Sequence, residues 1–318
     1  VNYKKRSSVT KTGSFFSFIL QKEKLIMKTD SSLKVAIQGY PGSFHDMAAR
    51  RFWTDRTLKM IPADSFDILA QQLRDGIADI AVMAIENSIA GSILQNYRIL
   101  RENGFWVSGE IYLRIKHNLL AVNGSKLDDI KEVASHPMAI NQCRQFLSQF
   151  PHWKILESED TALSAQHVTD KNKKSKACIA SSDAAEIYNL QNLATGIETN
   201  KTNYTRFFIV NKSQIPVTDN VDKASVYIRV PDRKGQLLKV LQVIQNHDLN
   251  MSKLQSFPVL GSFREYFFHM DIEFDHISQY LGLKEDLLNL TFEYDETGIY
   301  KRADITSILE KQQNLTTT

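Results

Sequence analysis

The 318-residue sequence predicts an α/β region followed by a smaller α+β unit of βαββαβ order. Three observations carry that prediction. From Lys34 to about residue 210, short β-branched runs alternate with longer stretches whose apolar residues recur every three or four positions, the rhythm of parallel sheets covered by helices. A polar, aperiodic stretch at 211–222 containing Pro216 reads as a linker. Beyond it, six elements fit into roughly 80 residues in the order of the ferredoxin-like plan.

In the first region, strands are expected at 34–38, 58–62, 80–85, 106–115, 119–122, 133–135, 154–157, 177–180 and 206–210. Helices are expected between them at 43–53, 66–75, 93–103, 138–150, 161–169 and 182–188, each with apolar residues at helical spacing. The second unit follows as strand 224–230, helix 235–247, strands 250–257 and 264–274, helix 279–290 and a last strand at 291–294. Residues 1–32 read as a disordered extension. Lys4-Lys5-Arg6 and Phe15–Leu20 imitate a signal peptide, but the apolar run is short, Gln21-Lys22-Glu23-Lys24 follows at once and no small-residue cleavage site appears. Met27 is a candidate natural start, and the polar tail, 306–318, is expected to fray.

Composition narrows the function. Hydrophobic content of 42% and charged content of 24% are those of an ordinary soluble globular protein. No run of 18 apolar residues exists, so no membrane helix is expected. The 39 basic residues against 36 acidic ones, a net charge of +3 without a basic tract, leave no nucleic-acid footprint, and the expected partner is a small molecule. Two cysteines, Cys143 and Cys178, fit a reducing compartment, with the cytosol as default. No Cys/His cluster or phosphate loop calls for a metal or nucleotide cofactor.

Candidate site residues cluster where strands run into helices. At Gly39–Phe44 a strand ends in a Gly/Pro turn and a helix opens with Ser43, either a plain N-cap or part of an anion site built on free N–H groups. At Ile85–Gly91 a buried-looking strand runs into Glu86, Asn87 and Ser88. In open α/β sheets ligands sit beyond such carboxyl ends, so Glu86 is a candidate acid or base and Asn87 and Ser88 candidate oxyanion donors, the alternative being simple turn and cap residues. Ser135-His136-Pro137 repeats this geometry ahead of a helix carrying Gln142. Further helix starts at Glu159-Asp160-Thr161 and Ser181-Ser182-Asp183 suggest several N-termini converging on one crevice, which suits a ligand with more than one carboxylate. Asn203–Phe207 places Thr205 and the fork of Arg206 just before the last strand of the region.

Together these segments resemble prephenate dehydratase, in the family's order and spacing, from Lys34 to about Tyr300. The Thr205-Arg206-Phe207 tripeptide is the family's hallmark. The resemblance implies a catalytic part at 33–212 built like a type II periplasmic binding protein, with lobe 1 at about 33–113 and 192–212 and lobe 2 at about 114–191. It implies an ACT domain at 223–305 that binds phenylalanine as feedback inhibitor, and a homodimer or homotetramer. In the implied reaction, prephenate loses its ring carboxylate as carbon dioxide and its ring hydroxyl as water, without a cofactor. Thr205 would then hydrogen-bond the departing hydroxyl, with Glu86 or a bound water as proton source. A grip on the ring carboxylate would stabilise charge that must disappear. Arg206 is therefore expected on the pyruvyl carboxylate, with the ring carboxylate near Phe207 or Phe44. In the second unit, Gly235-Gln236-Leu237 and Gln255-Ser256-Phe257-Pro258 stand where the family has Gly-Ala-Leu and Glu-Ser-Arg-Pro. Gly235, Leu237, Gln255, Ser256 and Pro258 thus mark the implied effector site, and losing the Glu/Arg pair implies weakened or altered inhibition. Two rivals are an arogenate dehydratase and a non-catalytic solute sensor.

Overall fold

A computed structural model describes residues 32–218, 220–259, 261, 265–306 and 308. The expected N-terminal extension and the tail lie almost wholly outside them, as does the expected strand start at 264. Parallel strands β1 (Leu33–Gln38), β2 (Leu58–Ala63) and β3 (Ile80–Asn87) begin the first sheet. Helices α1 (Phe44–Phe52), α2 (Phe66–Arg74) and α3 (Leu94–Glu102) connect and cover them. Ser43 caps α1 by accepting from the Asp46 N–H, and Ser65 caps α2 by accepting from that of Ile68. The short β4 (Gly91–Ser92) folds back onto β3. Strand β5 (Trp106–Arg114) then leads to the second lobe.

That lobe has its own five-stranded sheet, among the described residues, ordered β10-β6-β9-β7-β8. Its strands are β6 (Asn118–Ala121), β7 (Glu132–Ser135), β8 (Lys154–Glu157), β9 (Lys176–Ala180) and β10 (Gln191–Thr195). Helices α4 (Pro137–Gln142), α5 (Arg144–Leu147), α6 (Thr161–Lys171) and α7 (Ser182–Ile187) pack on it. The single helix expected at 138–150 is broken at Cys143. Strand β10 was not expected, because Gln-Asn-Leu-Ala-Thr carries no β-branched run; pairing with β6 creates it. The chain therefore returns to the first lobe after Thr195 rather than near 192. It enters as β11 (Tyr204–Asn211), antiparallel between β3 and β5.

The second unit runs β12 (Lys223–Arg229), α8 (Gln236–Asn246), β13 (Asn250–Pro258), β14 (Tyr266–Glu273), α9 (Ile277–Leu290) and β15 (Glu293–Tyr300), the expected βαββαβ order. Its sheet, β13-β14-β12-β15, is antiparallel and continues into the first lobe through a parallel contact of Gly298 with Val107. The last strand was expected only at 291–294, but β15 runs on through Gly298. That glycine allows close approach: a Cβ there would overlap the Val107 carbonyl.

Candidate active site

The site is organised by a bulge in β3. Arg206 pairs with Glu86 but Phe207 pairs with Ala84, so Ile85 is the extra residue. The bulge resets the alternation of side chains. Val82 and Ala84 pack on one face with α1, while Met83 and Ile85 pack on the other. After the bulge Glu86 stays on the side of Ile85, and Asn87 swings back to the side of Ala84, where both line a cavity. The Ala84 amide displaced from the ladder donates to His45 Nε2 at 3.2 Å, and its carbonyl accepts from Asn96 Nδ2 at 2.6 Å.

The cavity, about 260 Å³, lies between the two lobes. Of the expected residues it gathers Ser43, Phe44, Asn87, His136, Gln142, Thr161, Thr205 and Phe207. It also takes in Gln38, His45, Phe66 and His117, which the sequence did not single out. Beginnings of α1 and α6 contribute Phe44, His45 and Thr161 to an otherwise largely apolar space, so the positive end of each helix borders it. Asp160 caps α6, accepting from Ala162 and Leu163 at 2.7 and 2.9 Å. Burial still outweighs those bonds and raises its carboxyl above the usual range.

A hydrogen-bonded chain crosses from lobe to lobe and ends on Thr205. His117 Nε2 meets Gln142 Oε1 at 2.8 Å, and the same oxygen accepts from Asn203 Nδ2 at 3.0 Å. Asn203 Oδ1 accepts from Asn87 Nδ2 at 2.7 Å, and Asn87 Nδ2 reaches Thr205 Oγ1 at 3.0 Å. The orientation of Asn87 is set by backbone, because its Oδ1 accepts from Ile89 and Ala90 N–H at 3.0 and 2.9 Å. Its nitrogen must therefore face Thr205, whose oxygen accepts and whose own proton is left to donate elsewhere. His117 is kept neutral by burial, which lowers its pKa. As donor through Nε2, it presents Nδ1 as a buried acceptor, without a partner among the described residues.

Four expected site residues lie elsewhere. Arg206 points to the opposite sheet face, 3% exposed, with Nε 2.7 Å from Glu110 Oε2 and Nη1 2.5 Å from Asp271 Oδ2. Alternation along β11 requires this, since Thr205 and Phe207 face the cavity. Arg206 is thus no carboxylate clamp in the cleft. Glu86 is bound 2.6 Å from Lys253 Nζ of the second unit, away from the cavity. Ser88 Oγ accepts from the Tyr204 N–H and donates to the Thr202 carbonyl, bracing the turn. Ser135 is buried, donating to the Ile179 carbonyl within the second sheet. In the second unit, Gly235 caps α8 at φ +81°, Leu237 is in its first turn, and Gln255, Ser256 and Pro258 run along β13. Phe257, between them, packs on Tyr97 and Tyr227 at the junction with the first lobe.

His45 carries a pH prediction. Burial pushes its imidazole down to about 3, so it stays neutral while the unfolded chain protonates near 6.5. Its contribution is complete above about pH 6.5 and falls by up to about 1.4 kcal/mol per pH unit as pH drops from there towards 3. Urea denaturation between pH 7 and 4.5 should show a shallower fall for His45→Gln than for the parent; identical slopes would contradict it.

A family model described as prephenate dehydratase matches residues 35–215. A bifunctional chorismate mutase/prephenate dehydratase of Enterobacter agglomerans is 34% identical over 243 residues, spanning 76% of this chain and 63% of the relative. Arogenate dehydratase 4 of Arabidopsis thaliana is 36% identical over 261 residues, spanning 76% of this chain and 61% of that protein. The chain thus spans less than two thirds of the length of either. Among solved structures, a prephenate dehydratase from Arthrobacter aurescens in complex with L-Phe superposes with a TM-score of 0.74 at 27% identity, covering 86% of this chain and 91% of that one.

Proposed function

The chain belongs to the prephenate dehydratase family, and from that premise we propose that it converts prephenate to phenylpyruvate with loss of water and carbon dioxide. The observation that carries the reading is the Asn87–Thr205 pair, which leaves a hydroxyl proton free to donate into the mostly apolar cavity between the lobes. The ring hydroxyl leaves as water while the ring C–CO2 bond breaks, and its electrons restore the aromatic ring. Thr205 donates a hydrogen bond to the departing oxygen. An apolar wall of Phe44, Ile93, Ile115 and Phe207 suits the carboxylate that is lost, because leaving it poorly solvated favours its departure. The pyruvyl carboxylate, which stays, fits the N–H groups opening α1 and the amides of Gln38 and Gln142.

With Glu86 outside the cavity, Asp160 takes its place as candidate proton source, since burial already favours its protonated form. The sign follows: an acid that must be protonated loses activity as pH rises through its pKa. Asp160→Asn keeps the helix cap, so it is expected to lower kcat and abolish that alkaline limb in a pH–rate profile; an unchanged profile would assign the proton to water. Formation of phenylpyruvate, followed by ultraviolet absorbance, tests the activity itself. Comparing kcat/KM on prephenate and arogenate separates the family's two substrates, and failure of both would favour a solute sensor.

The unit at 223–305 is read as an ACT domain and 33–212 as the catalytic part. The βαββαβ order and antiparallel sheet support this, and the L-Phe bound to the Arthrobacter relative supports phenylalanine as effector. Phe257, packed on Tyr97 where the family carries arginine, supports altered inhibition. Calorimetry with phenylalanine at millimolar concentration should detect binding; none would remove that effector. A homodimer or homotetramer is proposed from the family resemblance, and gel filtration decides between them. A cytoplasmic location is read from the two cysteines, both free and buried. No helix among the described residues is long and apolar enough to cross a membrane.

A further inference from the structure

The strand positions flanking the Asn87–Thr205 pair are both tied to the second unit. Glu86 and Arg206 are partners in the β3–β11 ladder, directly beside the partners Asn87 and Thr205. On the other side of the junction, Lys253 of β13 and Asp271 of β14 are also ladder partners. Lys253 Nζ lies 2.6 Å from Glu86 Oε1, and Asp271 Oδ2 lies 2.5 Å from Arg206 Nη1. Four residues of alternating charge thus close a square of two ladder pairings and two ion pairs. Lys253 reaches it because β13 has its own irregularity: Met251 pairs with Ile272 and Lys253 with Asp271, leaving Ser252 extra. Its ammonium also donates to Ser92 Oγ at 2.7 Å, on the strand that folds back against Glu86. The pair is sheltered, with the Lys253 side chain 14% exposed and that of Glu86 31%.

We propose that Lys253 is a positioning residue for the Asn87–Thr205 pair, holding the bulged end of β3 through Glu86 and Ser92. The bulge interrupts the β3–β11 register just before this end of β3, so contacts that hold Glu86 and Ser92 bear on where the backbone carrying Asn87 sits. Lys253 is two residues from Gln255 on the strand carrying the implied effector segment, so a shift of β13 is felt at Asn87 without crossing the core. The effect on turnover rests on the dehydratase reading given above, but the structural coupling does not.

Two readouts keep these apart in Lys253→Met, Glu86→Gln and the double variant. Hydrogen–deuterium exchange, which needs no activity, is expected to rise in Lys253→Met across 84–92 and 203–207 and to stay unchanged at 154–157 in the other lobe. Turnover of prephenate by the same variant is expected to drop roughly tenfold to a hundredfold in kcat, the scale of a small misplacement of reacting groups, while KM stays within about twofold. The double variant should be no worse than the poorer single one. Unchanged exchange at 84–92 in Lys253→Met would overturn the coupling whether or not the protein turns over prephenate. Raised exchange with no turnover by the parent protein would support the coupling and sink the dehydratase reading alone.

Discussion

Thr205→Ala is expected to lower kcat by about 10²–10³, the usual cost of removing one preorganised donor aimed at developing charge, with little change in KM. The geometry explains why the loss should be so large for a weak acid. Asn87 Oδ1 is occupied by two backbone N–H groups, so Asn87 Nδ2 is committed to donating, and the Thr205 oxygen is committed to accepting. The hydroxyl proton therefore needs no reorientation when the leaving oxygen becomes basic. Thr205→Ser keeps the hydroxyl and should keep most of kcat. Asn87→Asp reverses the donor at that position and, by turning the Thr205 proton back onto itself, should approach the alanine variant. Steady-state kinetics on prephenate checks all three, and equal losses for serine and alanine at 205 would dismiss this orientation mechanism.

Arg206→Met is expected to destabilise the fold by about 3–5 kcal/mol, because removing one partner from a buried ionic cluster leaves uncompensated charge. Glu110 and Asp271 would face each other's charge with Lys223, 2.9 Å from Glu110, and His269, 3.0 Å from Asp271, left beside them. Burial by itself would raise the Asp271 carboxyl, but Arg206, His269 and Lys223 outweigh it and hold the group well below the usual range. Stability from Asp271 is therefore present above its unfolded value, near pH 3.9, and lost as pH falls below it. Ser225 and Tyr300 complete the cluster, with Ser225 Oγ 2.6 Å from Asp271 Oδ1 and 2.7 Å from the Tyr300 hydroxyl. Arg206→Lys keeps the charge but loses the fork, so its cost should be smaller. Urea denaturation measures the difference. An Arg206→Met protein of undiminished stability whose KM for prephenate rises sharply would instead put the arginine on substrate.

Much of the architecture was legible along the chain. Alternating strand and helix patterns, the polar stretch at 211–222 and the βαββαβ order beyond it all reappear in the structure, because hydrophobic periodicity and turn residues act locally. The elements that escaped were those made by their neighbours. Strand β10 exists through pairing with β6, and β15 runs on through Gly298 because the first sheet approaches there.

For the cavity, sequence singled out Ser43, Phe44, Asn87, His136, Gln142, Thr161, Thr205 and Phe207, most of them at strand ends or helix starts, with Gln142 closing its short helix and Phe207 within β11. That rule follows from chain geometry alone, since such ends converge above a sheet. His117, in the crossover between lobes, carried no such signal, while His45 was not singled out although it lies in the first turn of α1. Facing was decided only in three dimensions. Glu86 and Asn87 are neighbours, as are Arg206 and Thr205, and nothing local tells which of each pair meets the cavity. A single extra residue in β3, Ile85, sets that choice by resetting the two-residue alternation against β11. The sequence by itself determined that a hydroxyl, an amide, a carboxylate and a guanidinium would meet at the ends of two strands. Tertiary structure decided that the first two face the cavity, while the two charged groups face the second unit, where buried countercharges offset their desolvation.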